Sequence, residues 1–599
     1  MRIRPWPLLL VLAALPALAA PIPDWVRESD AAAQPMLRVM AQFAPEGAQR
    51  LGVEGVDDKV LDLGPTFSER YRAALETAAR EVQAKLPATR EPKVREDIQI
   101  LIDNANRQID ASKLEDALLL PFFTPARTTF GGIFALLDPR IPKERQAAAL
   151  VRLRRYTGLE PGSTPITELA KARTVEKLGD KKLIGPFRPE VDQALADSKR
   201  LVAGIGELFK KAGLTGYEPA LAKLGEQMAA YDAWVTAEIL PRCRAEARLP
   251  PELYAVYLRN FGVNASPEAV LRAALISFSE IRNEMNALAP LIAKAHKLPP
   301  NSDYRAVLRA LKKKQLRNAD ILPLYTQRLA ALEEITRRER VVTLPQRKAS
   351  IRLASEAESA MSPAPHMDAP RLIGNTGEYG EFVLPLATPG AAGQKDLRTD
   401  DFTFDAATWT LTVHEARPGH ELQFTRMIEN GVSIARAVFA FNSANVEGWA
   451  LYAEAEMKPY LPIDGQVASL QHRMLRAARA FLDPMVNLGQ ITPEVARRVL
   501  MEDVVLSEGM AKQEVDRYTF RAPGQATSYF VGYQSMLETR QRAELALSGR
   551  LDRQRFHDFI LAQGLLPPDL RLRAVMEEFV PSEKARAAAS GPATKTKAN

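Results

Sequence analysis

The sequence predicts a large, mostly α-helical protein with a few short strands. Three observations carry this. Apolar residues recur at helical spacing along nearly the whole chain. Strand-like composition is confined to two short stretches, Val341-Val342-Thr343 and Glu381 to Leu386. Helix-start chemistry is explicit at Ser266-Pro267-Glu268, where a capping Ser precedes a Pro at the first helical position. With 599 residues, 46% hydrophobic and 26% charged, the chain has the composition of a soluble protein with a sizeable core.

Taken in order, residues 1–19 read as an export signal. Arg2 and Arg4 precede the apolar run Leu8–Leu15, and Ala17-Leu18-Ala19 is a small-residue cleavage site before Ala20. The expected compartment is therefore periplasmic or extracellular. The run is short for a membrane helix, and no later stretch reaches about 20 apolar residues. No Cys follows the leader, which excludes a bacterial lipid anchor there. Cys243 is the single Cys, so no internal disulfide can form.

Residues 20–582 are expected to form one helical domain. An amphipathic piece at Asp30–Gln42 leads to a Gly-rich acidic turn around Leu51–Asp58. Helical periodicity follows over Thr66–Glu115, with Leu118–Phe130 as a Pro-containing turn packed on the core. Helices are then predicted over Lys143–Thr157, Glu190–Ala212, Pro219–Leu240, Ser266–Ala289, Ser302–Leu311 and Ala319–Arg340. Glu381–Leu386 is read either as a strand along a cleft, able to pair edge-on with a peptide, or as a buried loop. Beyond it, helices are expected from Asp405 through the motif, over Ala435–Tyr460, Gln466–Phe481, Pro493–Ser507 and Met510–Tyr518, and, after a break at Arg521–Gln525, over Ala526–Leu547 and Asp552–Gln563. Residues 583–599 have no apolar period and read as a disordered tail.

The net charge of +7 lies mostly at the two ends. The leader carries +2 and the tail +3, leaving about +2 for the body, so nothing points to a nucleic-acid partner.

The chemistry concentrates in Thr410–Phe424, TLTVHEARPGHELQF. Two of only six His fall here, His414 and His420, with Glu415 beside the first. Neutral imidazoles bind Zn²⁺, and an adjacent carboxylate can take a proton from water activated by the metal. The common spacing places the two His at i and i+4. Here it is i and i+6, which on an unbroken helix splays the ligands by roughly 120°. Pro418-Gly419 supply the residues that can break the helix and swing His420 back. Glu447, on the next predicted helix, is the third ligand, with Glu454 its competitor two turns later. Glu415 is the general base. Oxyanion stabilisation is sought among Arg517, Tyr518, Gln525, Tyr529 and Tyr533, with Tyr529 and Arg517 preferred. The bland alternative pairs Glu447 with one of Arg473, Arg476 and Arg479, which otherwise read as a solvated or ion-paired face rather than a substrate clamp. His472 and His557 are read as structural. No Gly-x-Ser-x-Gly elbow or phosphate-binding Gly loop is present.

At these residues the chain resembles a known family. His414-Glu415-Ala416-Arg417-Pro418-Gly419-His420, Glu447-Gly448-Trp449-Ala450-Leu451-Tyr452-Ala453-Glu454, and Arg517-Tyr518 with Pro523 to Tyr529 are similar to three signatures of the bacterial domain of unknown function 885. The resemblance implies an exported, helical protein with a zincin-like, metallopeptidase-like fold and a substrate cleft. One residue departs from it: many members carry a second His after the motif His, where this chain has Glu421. Dipeptidyl peptidase III is similar in binding zinc through a lengthened His-Glu…His spacing. The expectation is a Zn²⁺-dependent hydrolase of peptides or small amides. The alternatives are a metal-dependent hydrolase of other amides or esters, and a peptide-binding protein without metal.

Overall fold

The structure, a computed structural model, describes residues 22–362, 364–388, 397–398 and 400–589. Helix makes up 69% of it, with few short strands, so the mostly α-helical expectation holds. The leader lies outside the described residues.

The N-terminal helices Asp24–Phe43, Phe67–Gln83 and Pro92–Leu118 each bury one apolar stripe. Ala33, Met36, Leu75, Val82, Ile98 and Leu101 meet in a shared core. A second group packs Pro125–Leu136, Arg188–Ala212 and Glu218–Trp234 around Phe130, Ile205, Phe209 and Leu224. The centre of the molecule is the helix Ile463–Asn487, buried on most of its faces and packed lengthwise on Pro267–Ala295. That long helix begins as predicted, with the Ser266 hydroxyl accepting from Ala269 N at 3.3 Å.

A small three-stranded sheet lies to one side. Glu381–Leu384 is its middle strand, parallel to Ser350–Leu353 and antiparallel to His366–Asp368. The predicted strand therefore exists, but both its edges are already paired, and it has none to offer a peptide. The other predicted strand does not form. Val341-Val342-Thr343 is an irregular loop whose Val side chains enter the core, while Thr343 N and Oγ1 donate to Asp558. β-branched composition there reflects burial rather than pairing. Leu118–Phe130 is a turn only as far as Thr124, since Pro125 then opens a helix at its first position.

The predicted tail begins too early. A final helix runs to Ala589, and Glu583 is buried, accepting from Arg555 and Arg586. One carboxylate with two cationic partners gives the segment an anchor that apolar periodicity does not register. Among the described residues, no helix is long and apolar enough to cross a membrane.

The functional region is held by a close helix crossing. Ser443–Met457 and Thr527–Ala546 meet at Gly448 and Gly532, where a β-carbon on either residue would overlap the other helix's backbone. Only glycine permits that approach. It brings Glu447 and Tyr529 to the same side of the molecule.

Candidate metal centre

The motif folds as a broken helix. Asp405–Glu415 ends at the first His-Glu pair, and His420–Asn430 starts at the second His. Between them the Arg417–Pro418 bond is cis, and a side chain at Gly419 would collide with the His414 carbonyl. Pro418-Gly419 thus are the break, as their chemistry predicts. Its polar groups are satisfied from outside. Trp449 Nε1 donates to the Pro418 carbonyl at 3.0 Å and lies 3.3 Å from that of Gly419. The fully buried Arg417 donates to Glu421 at 2.5 and 3.1 Å, to Glu333 at 2.6 Å and to the Arg347 carbonyl at 2.8 Å. Glu421, the residue that departs from the family pattern, is therefore the ion-pair partner that locks the break.

The break swings His420 back towards His414, and the two ring centroids are 4.7 Å apart. Both Nε2 atoms lie 3.3 Å from Glu447 Oε2. The ligand atoms of His414, His420 and Glu447 all fall within 4.8 Å of one another. Donors 2.0–2.1 Å from a tetrahedral Zn²⁺ sit about 3.4 Å apart, so the two His–Glu separations fit such an ion. Glu447 Oε2 and Glu415 Oε2 are buried without a hydrogen-bond partner. Buried polar atoms are normally satisfied, and such a concentration in one place calls for a further partner.

Glu454 is not in this set. Its Oε1 accepts from His414 Nδ1 at 2.7 Å, on the far side of the ring, and its Oε2 accepts from Thr410 at 2.6 Å. Arg476 Nη2 lies 3.3 Å from the same carboxylate. This pattern orients Nε2 of His414 into the cluster and raises its basicity. Burial would lower the His414 pKa, but Glu447 and Glu454 together raise it to about 9. The Glu454 carboxyl is opposed by burial and held down to about 2 by Arg476 and His414. Carboxylates that favour a proton on His414 favour any cation placed beside it.

The remaining candidates separate. Tyr529 stacks 6.3 Å from the His414 ring at an angle of 11°, and Arg517 Nη1 donates to its hydroxyl at 3.3 Å. Burial first, and then Glu447, raise the pKa of the Tyr529 phenol, which keeps it a proton donor. Tyr518 donates to Glu514, Gln525 to Ser443, and Tyr533 lies under Arg473, so these three serve packing. Glu415 is buried, with Oε1 3.9 Å from His414 Nε2. Arg476 and Arg479 form a buried ion-paired face with Glu454 and Glu514, and neither takes Glu447. His557 is structural, as expected. His472 faces Glu454 at 3.9 Å and belongs to the site wall. Sequence reasoning missed the roles of Glu454, Thr410 and Glu514. The only available signal was the seven-residue step from Glu447 to Glu454, which keeps both on one helix face.

A family model described as a bacterial protein of unknown function (DUF885) matches residues 45–576. The chain belongs to this family. A crystal structure of a presumed lipoprotein from Colwellia psychrerythraea shares the DUF885 chain's fold, with a TM-score of 0.73 at 17% identity over 93% of this chain and 99% of that one. A presumed lipoprotein of unknown function from Shewanella oneidensis gives 0.68 at 18% identity, over 93% and 100%. No match is found among curated proteins.

Proposed function

We propose that this protein is an exported zinc-dependent hydrolase that cleaves peptide bonds. The observation that carries the reading is the buried His414–His420–Glu447 cluster, with Glu415 adjacent and its Oε2 unpaired. Three protein ligands and an open position are what a catalytic zinc site requires. Zinc there supplies Lewis acidity, making water acidic near neutral pH and polarising a carbonyl.

The chain's own residues do the rest. Glu415 takes a proton from the attacking water and passes it to the leaving amine. The Tyr529 hydroxyl, steadied by Arg517, donates to the oxyanion that develops on the scissile carbonyl. Glu454 holds His414 in one tautomer, and Arg476 neutralises Glu454. In this reading the broken helix carries the zincin-like ligand pair and the cavity beside it is part of the substrate cleft. Export is supported by the leader and by the lipoprotein descriptions of the two structural neighbours, although this chain has no Cys near its start.

The test is a panel of short peptides and matched esters offered to the zinc-loaded protein, with and without a chelator. Chelator-sensitive peptide cleavage supports the reading. Cleavage of esters alone moves the activity to another acyl substrate. Peptide binding without turnover moves it to a binding protein.

A further inference from the structure

Beside the metal cluster lies a small cavity of ≈ 70 Å³. His414, Glu415 and Tyr529 line it together with Arg476, Arg479 and Arg517. The three guanidinium groups share only two carboxylates. Arg479 binds Glu514 through Nε and Nη2 at 2.7 and 2.6 Å. Arg517 reaches the same Glu514 only at 3.7 Å, and Arg476 has Glu454 at 3.3 Å. Arg476 Nε and Arg479 Nη1 are buried with no acceptor. Asp401, also in the wall, is already paired with Lys312 at 2.5 Å. Glu415 and Glu447 face the position proposed for a divalent ion, which would balance them. Among the described residues, one positive charge is therefore left without a carboxylate and two buried donors without an acceptor, although the Arg479 guanidinium lies 4.3 Å over the Tyr529 ring. A buried guanidinium nitrogen in a low-dielectric wall is costly unless an acceptor reaches it. The remaining lining combines the polar Gln471 and His472 with the apolar Phe402, Leu411, Leu475, Leu506 and Met510.

We propose that this arginine wall receives the free C-terminal carboxylate of a short peptide whose last side chain is apolar. The inference rests on the hydrolase reading above and gives it a direction: the enzyme removes residues from the carboxyl end. The bond broken is then the last peptide C–N bond. The hydroxyl of water goes to the acyl carbon, and the second proton goes through Glu415 to the leaving nitrogen. The released product is an amino acid whose carboxylate remains on the guanidinium groups until it leaves. Arg517, Arg476 and Arg479 bind substrate, and Arg517 also positions Tyr529.

The experiment compares acetyl-alanyl-leucine with acetyl-alanyl-leucinamide. Binding to chelator-stripped full-length protein is measured by calorimetry, so that a metal cannot account for carboxylate affinity. The acid is expected to bind about 10- to 100-fold more tightly than the amide, as for a charge-assisted hydrogen-bonded contact. Arg517→Gln and Arg476→Gln are expected to shrink that ratio, and the parent comparison stands even if a variant fails to fold. Equal binding of acid and amide by the parent overturns the inference. So does a preference that survives intact in both variants. A parent that binds no zinc yet keeps the acid preference supports the carboxylate site and overturns the hydrolase reading alone. A parent that binds zinc and cleaves the amide as well as the acid leaves the hydrolase reading and overturns the carboxylate site.

Discussion

Two histidine clusters share the helix Ser443–Met457, and they differ in what satisfies them. At the first, His557 Nδ1 donates to the Val341 carbonyl at 2.7 Å, and Nε2 accepts from Tyr452 at 2.8 Å. Tyr452 in turn accepts from Arg540 at 2.8 Å. Both ring nitrogens are used, and the tautomer is defined. At the second, His414 is gripped from behind by Glu454, but Glu447 Oε2 and Glu415 Oε2 find no hydrogen bond. The first cluster is closed by the fold. The second is built with equal care up to one face and stops. A buried histidine network is therefore not itself a site. What marks one is polar atoms held rigidly and left unpaired.

The contrast can be broken first at Glu415. Glu415→Gln removes only a proton acceptor, so peptide turnover should fall by about 10²- to 10⁴-fold with zinc content unchanged. A loss of zinc as well would make Glu415 a ligand rather than a base. Next comes the support behind His414. Glu454→Gln should weaken zinc affinity by about 10- to 100-fold, measured by competition with a chelator. An unchanged affinity would mean that the Nδ1 contact tunes nothing. The frame around both clusters is tested at the glycine crossing. Gly532→Ala should cost about 1–3 kcal/mol in denaturant unfolding and lower zinc affinity, because the two helices must separate.

The closed cluster should respond only in stability. His557→Gln should cost about 1–3 kcal/mol through an unsatisfied buried partner, while zinc content stays that of the parent. It also carries a dependence on pH. Burial first, with Arg540 and Arg553 nearby, depresses the His557 pKa to about 3, despite the Val341 carbonyl. The unfolded side chain titrates near ~6.5. Between these values the unfolded chain binds a proton that the folded one refuses, so stability should fall as pH drops from about 6.5 towards 3. Melting temperature against pH would show this slope, and it should be shallower in His557→Gln.

How much of this could be read from the sequence depended on how local the physics was. The break between His414 and His420 was legible because Pro418 and Gly419 act on their own backbone. Glu447 was legible as the residue that joins the two His, but Glu454 was legible only as its rival. Its purchase on the far side of the His414 ring depends on how two helices cross, and that crossing rests on Gly448 and Gly532. Most helices followed from periodicity, but Ile166–Leu178 and Pro568–Ala574 were not among those predicted. Val341-Val342 misled because β-branched residues suit a buried loop as well as a strand. Glu381–Leu384 was found as a strand, but its pairing on both edges comes from segments distant in sequence. The helix to Ala589 was missed because an ion pair at Glu583, rather than an apolar stripe, holds it.

The most direct test is metal content, by mass spectrometry on the purified protein reconstituted with zinc, alongside His420→Ala and Glu447→Ala. A three-ligand site predicts about one zinc per chain in the parent and none in either variant. A parent that binds no zinc, or a Glu447→Ala variant that still holds it, would contradict the site described here.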